Sequence, residues 1–527
     1  MKKMKKTVAI ITAAVILFSC FAGCAASTPA SEQAVAETIT LDSVIDGLNE
    51  ERKAKLEQPL SFTGEDFGII KPGEVKEFTQ AEVDSLLEFN GKDHVTLDEA
   101  LEDVNMLFRI LKSSYGGYTY FGGDDVFLAA KDEIVRTLKL SPDKNSIESG
   151  YLTYLMTQKL AFMEDTHFML GLMSPPYEEK YLFTDWDELD FSKDENGYYT
   201  VHGGDKWYLS KDDEQYMHLT VNEDGSIVYG LFGLAALPSE LPSQLRLKTA
   251  LGQGADVTVD WVMVRTGTSV CGTDNIHVLT EKDGVKVSGI SILMLDGEKS
   301  APVNDFINEA KELRDEDSFI LDLRGNPGGD TAAVDFFLYN LTGSLCEFPS
   351  QTMKRYSRLN KSHDKAYNNM VGGADVYAGY EGIDFYDENK ELVDSWYKES
   401  VEKSKKAKLG ETLILNNMET EWCDRDGTIY VLIDKNTGSA AEYFLYKLST
   451  VKNVVIIGSN SNGCLLTADV NAVSYVYLPN SGIRVYYGQM LLITDKMKGY
   501  DANGWMPDII PRNEDALDTA LTLIKNR

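Results

Sequence analysis

An α/β core flanked by a helical segment and a β-rich module is the fold that this 527-residue chain predicts, on three observations. Between Gly289 and Leu323, and again between Thr428 and Ile457, short apolar runs alternate with stretches of helical period. Parallel strands joined by crossover helices have that pattern. Upstream, apolar residues recur at helical spacing from Thr79 to Phe162, and from Tyr177 to Ser288 they alternate in short runs broken by Asp-Gly and Gly-Gly pairs. The expected boundaries are therefore 76–176 for the helical segment, 177–288 for the β-rich module and 289–527 for the core.

The N-terminus is a separate problem. Four lysines precede an apolar run from Val8 to Phe18, and Phe21-Ala22-Gly23 stands directly before Cys24. This is the pattern of a secretory signal. Small residues before a cysteine resemble a bacterial lipoprotein cleavage box, which implies removal of residues 1–23 and a lipid on Cys24 at the outer face of the membrane. Cys20, after Leu17-Phe18-Ser19, is the rival site. The apolar run falls short of the roughly 20 residues that a span requires. Residues 24–75 are expected to be a tether and N-terminal extension, small, polar and acidic as far as about Asp42.

In the helical segment, Val83, Leu86, Leu97, Leu101, Val104, Leu107 and Leu111 share helical faces, with Thr79 and Thr96 placed as N-caps. Further helices are expected over Phe127–Leu138 and Glu148–Phe162. In the β-rich module, Ser226–Tyr229 and Val257–Val264 are candidate strands. The core opens with a buried strand, Gly289–Leu295, and a helix bearing Val303, Phe306, Ile307, Ala310 and Leu313. A strand ending at Leu323 follows. Lys, Tyr, Asn and Asp dominate from about 348 to 421, an apparent insertion. The core then resumes with strand Thr428–Ile433, a helix to about Ser449, strand Asn453–Ile457, a hairpin of Val473–Leu478 and Ile483–Tyr487, and a last helix with Leu517, Leu521 and Ile524.

Composition excludes some functions. A formal charge of −32 argues against a nucleic-acid partner. Cys271, Cys346, Cys423 and Cys464 are scattered without C-x-x-C spacing, so neither a zinc site nor a disulfide scaffold is indicated. No metal or other cofactor is called for.

Two turns carry the chemistry. Asp322-Leu323-Arg324-Gly325-Asn326-Pro327-Gly328-Gly329 and Thr437-Gly438-Ser439-Ala440-Ala441-Glu442 each follow a strand and open a helix, aiming backbone N–H groups at developing negative charge. The second also exposes a serine. Together they supply a nucleophile and an oxyanion-binding backbone, as acyl transfer requires. A dinucleotide turn would need G-x-G-x-x-G, which is absent. Taken alone, Ser439 with Glu442 three residues later would be a capping box, and His167 a structural histidine.

These two blocks, with Asp165-Thr166-His167 and Gly504-Trp505-Met506-Pro507-Asp508, resemble in order the signature blocks of serine peptidase family 41. That superfamily holds the carboxy-terminal processing (tail-specific) proteases, the tricorn core and the interphotoreceptor retinoid-binding repeats. The resemblance implies a ClpP/crotonase-like spiral of ββα units, a protein or peptide substrate, and Ser439 as nucleophile. Processing proteases use a lysine base in a downstream Gly-Lys-Gly segment; here that segment is Ser459-Asn460-Ser461-Asn462-Gly463-Cys464. The tricorn-like branch uses a histidine beside a hydroxyl residue and a carboxylate before the last block, which implies Thr166, His167 and Asp501, with Asp165 the weaker carboxylate. Oxyanion donors would be Ala440 N–H and that of Gly328 or Gly329, while Asp322, Arg324 and Glu442 support the turns. A PDZ domain, common in the family, has at most a faint echo at Gly254–Trp261. Retinoid-binding relatives imply the competing reading, a weak or inactive protein that binds peptides or apolar ligands on the same fold.

Overall fold

Parallel pairing of four strands, Val285–Ile290, Ser318–Asp322, Thr428–Ile433 and Val454–Gly458, makes the central sheet, with His277–Lys282 antiparallel on one edge. Successive side chains of these strands go to opposite faces. Phe319, Leu321, Ile429, Val431, Val454 and Ile456 enter one apolar cluster with the helices Ser300–Leu313, Thr331–Thr342 and Ala440–Leu448. Ile320, Tyr430, Leu432, Val455 and Ile457 enter another, covered by helices Leu41–Leu56 and Ala516–Asn526. Burial on both faces explains why Thr428–Ile433 and Val454–Gly458 are almost wholly apolar. Each fully buried aliphatic or aromatic side chain contributes about 1.5–3 kcal/mol.

The computed structural model describes residues 39–527 apart from 223, 296, 371–379, 381, 418–419, 469–473 and 513–514. The expected leader, Cys24 and most of the tether lie outside these, as does Val473 of the expected hairpin. Among the described residues no helix is long and apolar enough to cross a membrane. The helical segment, β-rich module and core belong to one compact unit.

The chain folds earlier than its acidic N-terminal composition suggests. Leu41, Val44, Ile45 and Leu48 pack on the sheet from the helix Leu41–Leu56. Arg52 on that helix donates to the Val454 carbonyl and to Asp508 Oδ2, both at 2.6 Å. The same Asp508 oxygen accepts the Ile456 N–H at 2.7 Å. Thr79 and Thr96 do cap helices, Gln80–Leu87 and Leu97–Ser114, each with a reciprocal glutamate three residues on.

Three elements differ from expectation. The run Val257–Val264 divides at Val259-Asp260, so that Gly254–Thr258 and Trp261–Met263 join the two different sheets of the β-rich module. The strand expected at Gly289–Leu295 is Val285–Ile290. Leu293 instead crosses to the glycine turn: its N–H donates to Gly328 O at 2.8 Å, and Asp330 N–H donates to Leu293 O at 2.9 Å. Finally, the expected insertion contributes structure of its own. Ser350–Arg355 pairs with Thr412–Asn417 and with Met490–Ile493 of the core.

Strand pairing also attaches the helical segment to the core. Met169–Leu170 pairs with Arg484–Tyr486, which pairs with Tyr475–Tyr477 across the turn at 479–482. His167 is thereby carried to the sheet. Leu170, Val476, Val485 and Tyr487 share one core with the helices of the segment.

Replacing Arg52 with methionine leaves the Asp508 carboxylate without its partner. Loss of about 3 kcal/mol is expected, seen as a lower urea midpoint with an unchanged slope.

Candidate active site

Ser439 stands between strand Thr428–Ile433 and helix Ala440–Leu448 with φ 50° and ψ −119°. A non-glycine residue there costs on the order of 1–3 kcal/mol and persists only when its surroundings hold it. They do so from three sides. Gly438 N–H donates to Asn326 O at 2.9 Å, Thr437 Oγ1 donates to Leu323 O at 2.9 Å, and Ser439 N–H donates to the Glu442 carboxylate at 3.1 Å. The turn thus pushes Ser439 Oγ outward, as a strained strand-to-helix turn does for a nucleophile.

Glu442 is fully buried and accepts more than the Ser439 N–H. Gly463 N–H donates to it at 2.8 Å, Cys464 N–H at 2.7 Å, and the Ser461 hydroxyl also donates to it. Burial raises the Glu442 pKa, against these hydrogen bonds. Ser461 in turn accepts the Trp505 N–H at 2.6 Å. The Ser439 turn, Ser459–Cys464 segment and Gly504-Trp505 block are thereby joined.

His167 meets Ser439 as the sequence expects them to meet: Nε2 lies 3.2 Å from Ser439 Oγ. The same nitrogen lies 3.3 Å from Cys464 Sγ, a contact that sequence reasoning missed. The signal was available, since Cys464 ends the segment where a lysine was sought. Burial lowers the His167 pKa, opposed by the negative charge of Asp165 and by the Thr467 main chain.

Asp501 takes another role than the one expected for it. Its carboxylate accepts Thr166 N–H at 3.2 Å, Thr166 Oγ1–H at 3.3 Å, Leu465 N–H at 3.2 Å and Leu466 N–H at 3.0 Å. Among the described residues no side chain accepts from the buried His167 Nδ1. Burial, then the charges of Asp165 and Glu442, push Asp501 well above the usual carboxylate range. It holds the 465–466 backbone and Thr166 together, and no hydrogen bond joins it to the imidazole. The carboxylate that bears on His167 is Asp165. It accepts the His167 main-chain N–H at 2.9 Å, Tyr115 O–H at 2.6 Å and Thr467 Oγ1–H at 3.0 Å.

The glycine turn needs a similar correction. Gly328 N–H donates to Asn326 Oδ1 at 2.8 Å, so it is not free for an oxyanion. Gly328 is instead a matter of space: at φ 107°, a Cβ there would meet Ala440 N and Ser439 Cβ, each at 2.7 Å. The bridge to Leu293 uses Gly328 C=O and Asp330 N–H, which leaves the intervening Gly329 N–H turned away from it. Ala440, the first residue of its helix, has an N–H with no intrahelical acceptor. Ala440 and Gly329 are thus the two available donors. Behind them, Arg324 is fully buried and pairs with Asp322 through Nε and Nη2, both at 2.9 Å, and with Asp515 at 2.6 Å. No group of three or more His, Cys, Asp and Glu suited to a metal ion occurs among the described residues.

Asp165→Asn removes a negative charge that favours the imidazolium. The His167 pKa is expected to fall further, so an NMR titration of its ring should have its midpoint at lower pH than in the parent.

Among known proteins, residues 286–510 match the model of peptidase family S41. No curated protein sequence matches the chain. Solved structures similar to it include mature CPAF complexed with lactacystin, at 15% identity over 82% of this chain and 96% of that one, with a TM-score of 0.44. A putative S41 protease from Bacteroides fragilis has 15% identity over 80% and 97%, with a TM-score of 0.32. A lipoprotein from Streptococcus agalactiae has 10% identity over 81% and 96%, with a TM-score of 0.33. With its four signature blocks gathered around one serine turn, the chain carries in residues 286–510 a core that matches peptidase family S41.

Proposed function

We propose that this chain is a serine peptidase, held at the outer face of a membrane by a lipid on Cys24, that cleaves peptide bonds through an acyl-enzyme on Ser439. The observation that carries the reading is the 3.2 Å approach of Ser439 Oγ to His167 Nε2 at a strained turn. A serine hydroxyl is a weak nucleophile at neutral pH and needs an adjacent base. His167, kept neutral by burial, accepts its proton as Oγ attacks the scissile carbonyl. The oxyanion rests on Ala440 and Gly329 N–H, each such donor supplying roughly 3–4 kcal/mol of transition-state stabilisation. Imidazolium, favoured by Asp165, then protonates the leaving amine. Water cleaves the ester by the reverse relay.

A fluorophosphonate probe is expected to label the full chain at Ser439, with no labelling of Ser439→Ala and a loss of about 10²–10⁴-fold in labelling rate for His167→Ala. Protonated His167 cannot act as base, so the rate should rise with pH through a midpoint below the ordinary histidine value of about 6.5. The lack of a carboxylate on His167 Nδ1 among the described residues favours a second reading, a catalytically weak protein that binds peptides or apolar ligands. Equal labelling of the parent and Ser439→Ala, or none of either, would select it.

Anchoring is supported by the small residues before Cys24. Cys24→Ser should move the exported protein from the detergent phase to the aqueous phase on phase partition; retention in detergent would defeat the lipid assignment.

A further inference from the structure

The cysteine spacing suggests no disulfide scaffold, yet the fold brings two thiols together. Cys346 Sγ and Cys423 Sγ are 2.9 Å apart and both residues are buried. That is about 0.9 Å beyond a covalent S–S bond of about 2.05 Å. The segments that carry them already run side by side. Glu421 N–H donates to Glu347 O at 3.1 Å, and the Ser344 hydroxyl donates to the Glu421 carboxylate. Cys423 is further fixed as a short parallel bridge to Val451, its N–H donating to Thr450 O at 2.9 Å.

The position of the pair in the chain is equally telling. Cys346 and Cys423, 77 positions apart, stand immediately outside the 348–421 insertion, at the two points where it leaves and rejoins the core. Both sulfurs lie in the apolar cluster under the helices Thr331–Thr342 and Ala440–Leu448. A bond here would pin the base of the insertion without entering the site around Ser439.

We propose that Cys346 and Cys423 form an intramolecular disulfide when the chain folds in an oxidising compartment, the oxidant being a disulfide of the exchange type, such as oxidised glutathione. Cys423 is the more exposed of the two, at 5% against 0%. Its thiolate attacks one sulfur of the oxidant, forming a mixed disulfide and releasing one glutathione thiolate. Cys346 thiolate then attacks Cys423 Sγ, forming the intramolecular bond and releasing the second. The protein loses two electrons and two protons, and the oxidant gains both as two thiols.

The test uses the full chain secreted into an oxidising medium, denatured in alkylating agent and digested without reductant. Mass spectrometry is expected to find the Cys346 and Cys423 peptides joined and unalkylated, with Cys271 and Cys464 alkylated. In parallel, reduced chain refolded from urea against a glutathione mixture should give the same linkage. Reductant should lower the thermal midpoint by about 4 °C, and a Cys346→Ala/Cys423→Ala variant should be insensitive to it. Recovery of both residues fully alkylated from either preparation, or linkage of either to Cys271 or Cys464, overturns the proposal.

Discussion

The buried carboxylate of Glu442 is the constraint on which the site depends. One side chain accepts main-chain N–H groups from Ser439, Gly463 and Cys464, and the Ser461 hydroxyl. Ser461 is tied to Trp505 through both its hydroxyl and its main-chain N–H. The Ser439 turn and the 461–464 loop thus converge on two oxygens, and the Trp505 segment joins them through Ser461. Such a network holds its parts to one geometry only when every donor is satisfied, because each orphaned buried group would cost about 1–3 kcal/mol. The strained backbone of Ser439 persists because this network and the Asn326 and Leu323 carbonyls hold the turn at once.

Asp501 extends the same principle one step along the chain. Where Glu442 holds residues 461–464, Asp501 holds Leu465 and Leu466 and reaches across to Thr166. The segment leading into His167 is therefore fastened to the Ser439 turn through a shared loop. Asp165 fixes the His167 main chain and bonds Tyr115 and Thr467. Burial, and then the charges of Asp165 and Glu442, drive the Asp501 pKa upward. On the imidazole itself the carboxylate that acts, raising its pKa against burial, is Asp165.

Legibility in the sequence followed the range of each interaction. Strands buried on both faces, such as Thr428–Ile433, and capped helices, such as Leu97–Ser114, are local patterns and lie where the residues suggest. The Ser439–His167 meeting was legible through motif blocks, since no local pattern links residues 272 positions apart. What escaped was tertiary. Helix Leu41–Leu56 has apolar residues at helical spacing, but its acidic neighbours mask a face that only the sheet requires. Gly328 was legible as a necessary glycine, whereas the capture of its N–H by Asn326 depends on a side-chain rotamer. Asp501 was legible as a carboxylate of the site through its place before the last motif block, and its partners were not, because main-chain donors leave no mark in a sequence.

The Cys464 contact explains why a histidine site and a lysine-free loop belong together. Cys464 Sγ lies against the same ring nitrogen that faces Ser439. An ammonium carried at that position would repel the imidazolium as it formed, at a separation where unit charges interact by about 4 kcal/mol even at an effective dielectric of 20. A thiol avoids this repulsion, since burial and the charges of Asp501 and Glu442 push the Cys464 pKa well up and keep it neutral. Compact and weakly polar, it fills the space beside Nε2 without competing strongly for the nitrogen lone pair. The hydroxyl of Ser439, the stronger donor, then holds the hydrogen bond. A neutral thiol rather than an ammonium beside Nε2 is in that sense the electrostatic condition that the proposed role of His167 as base requires.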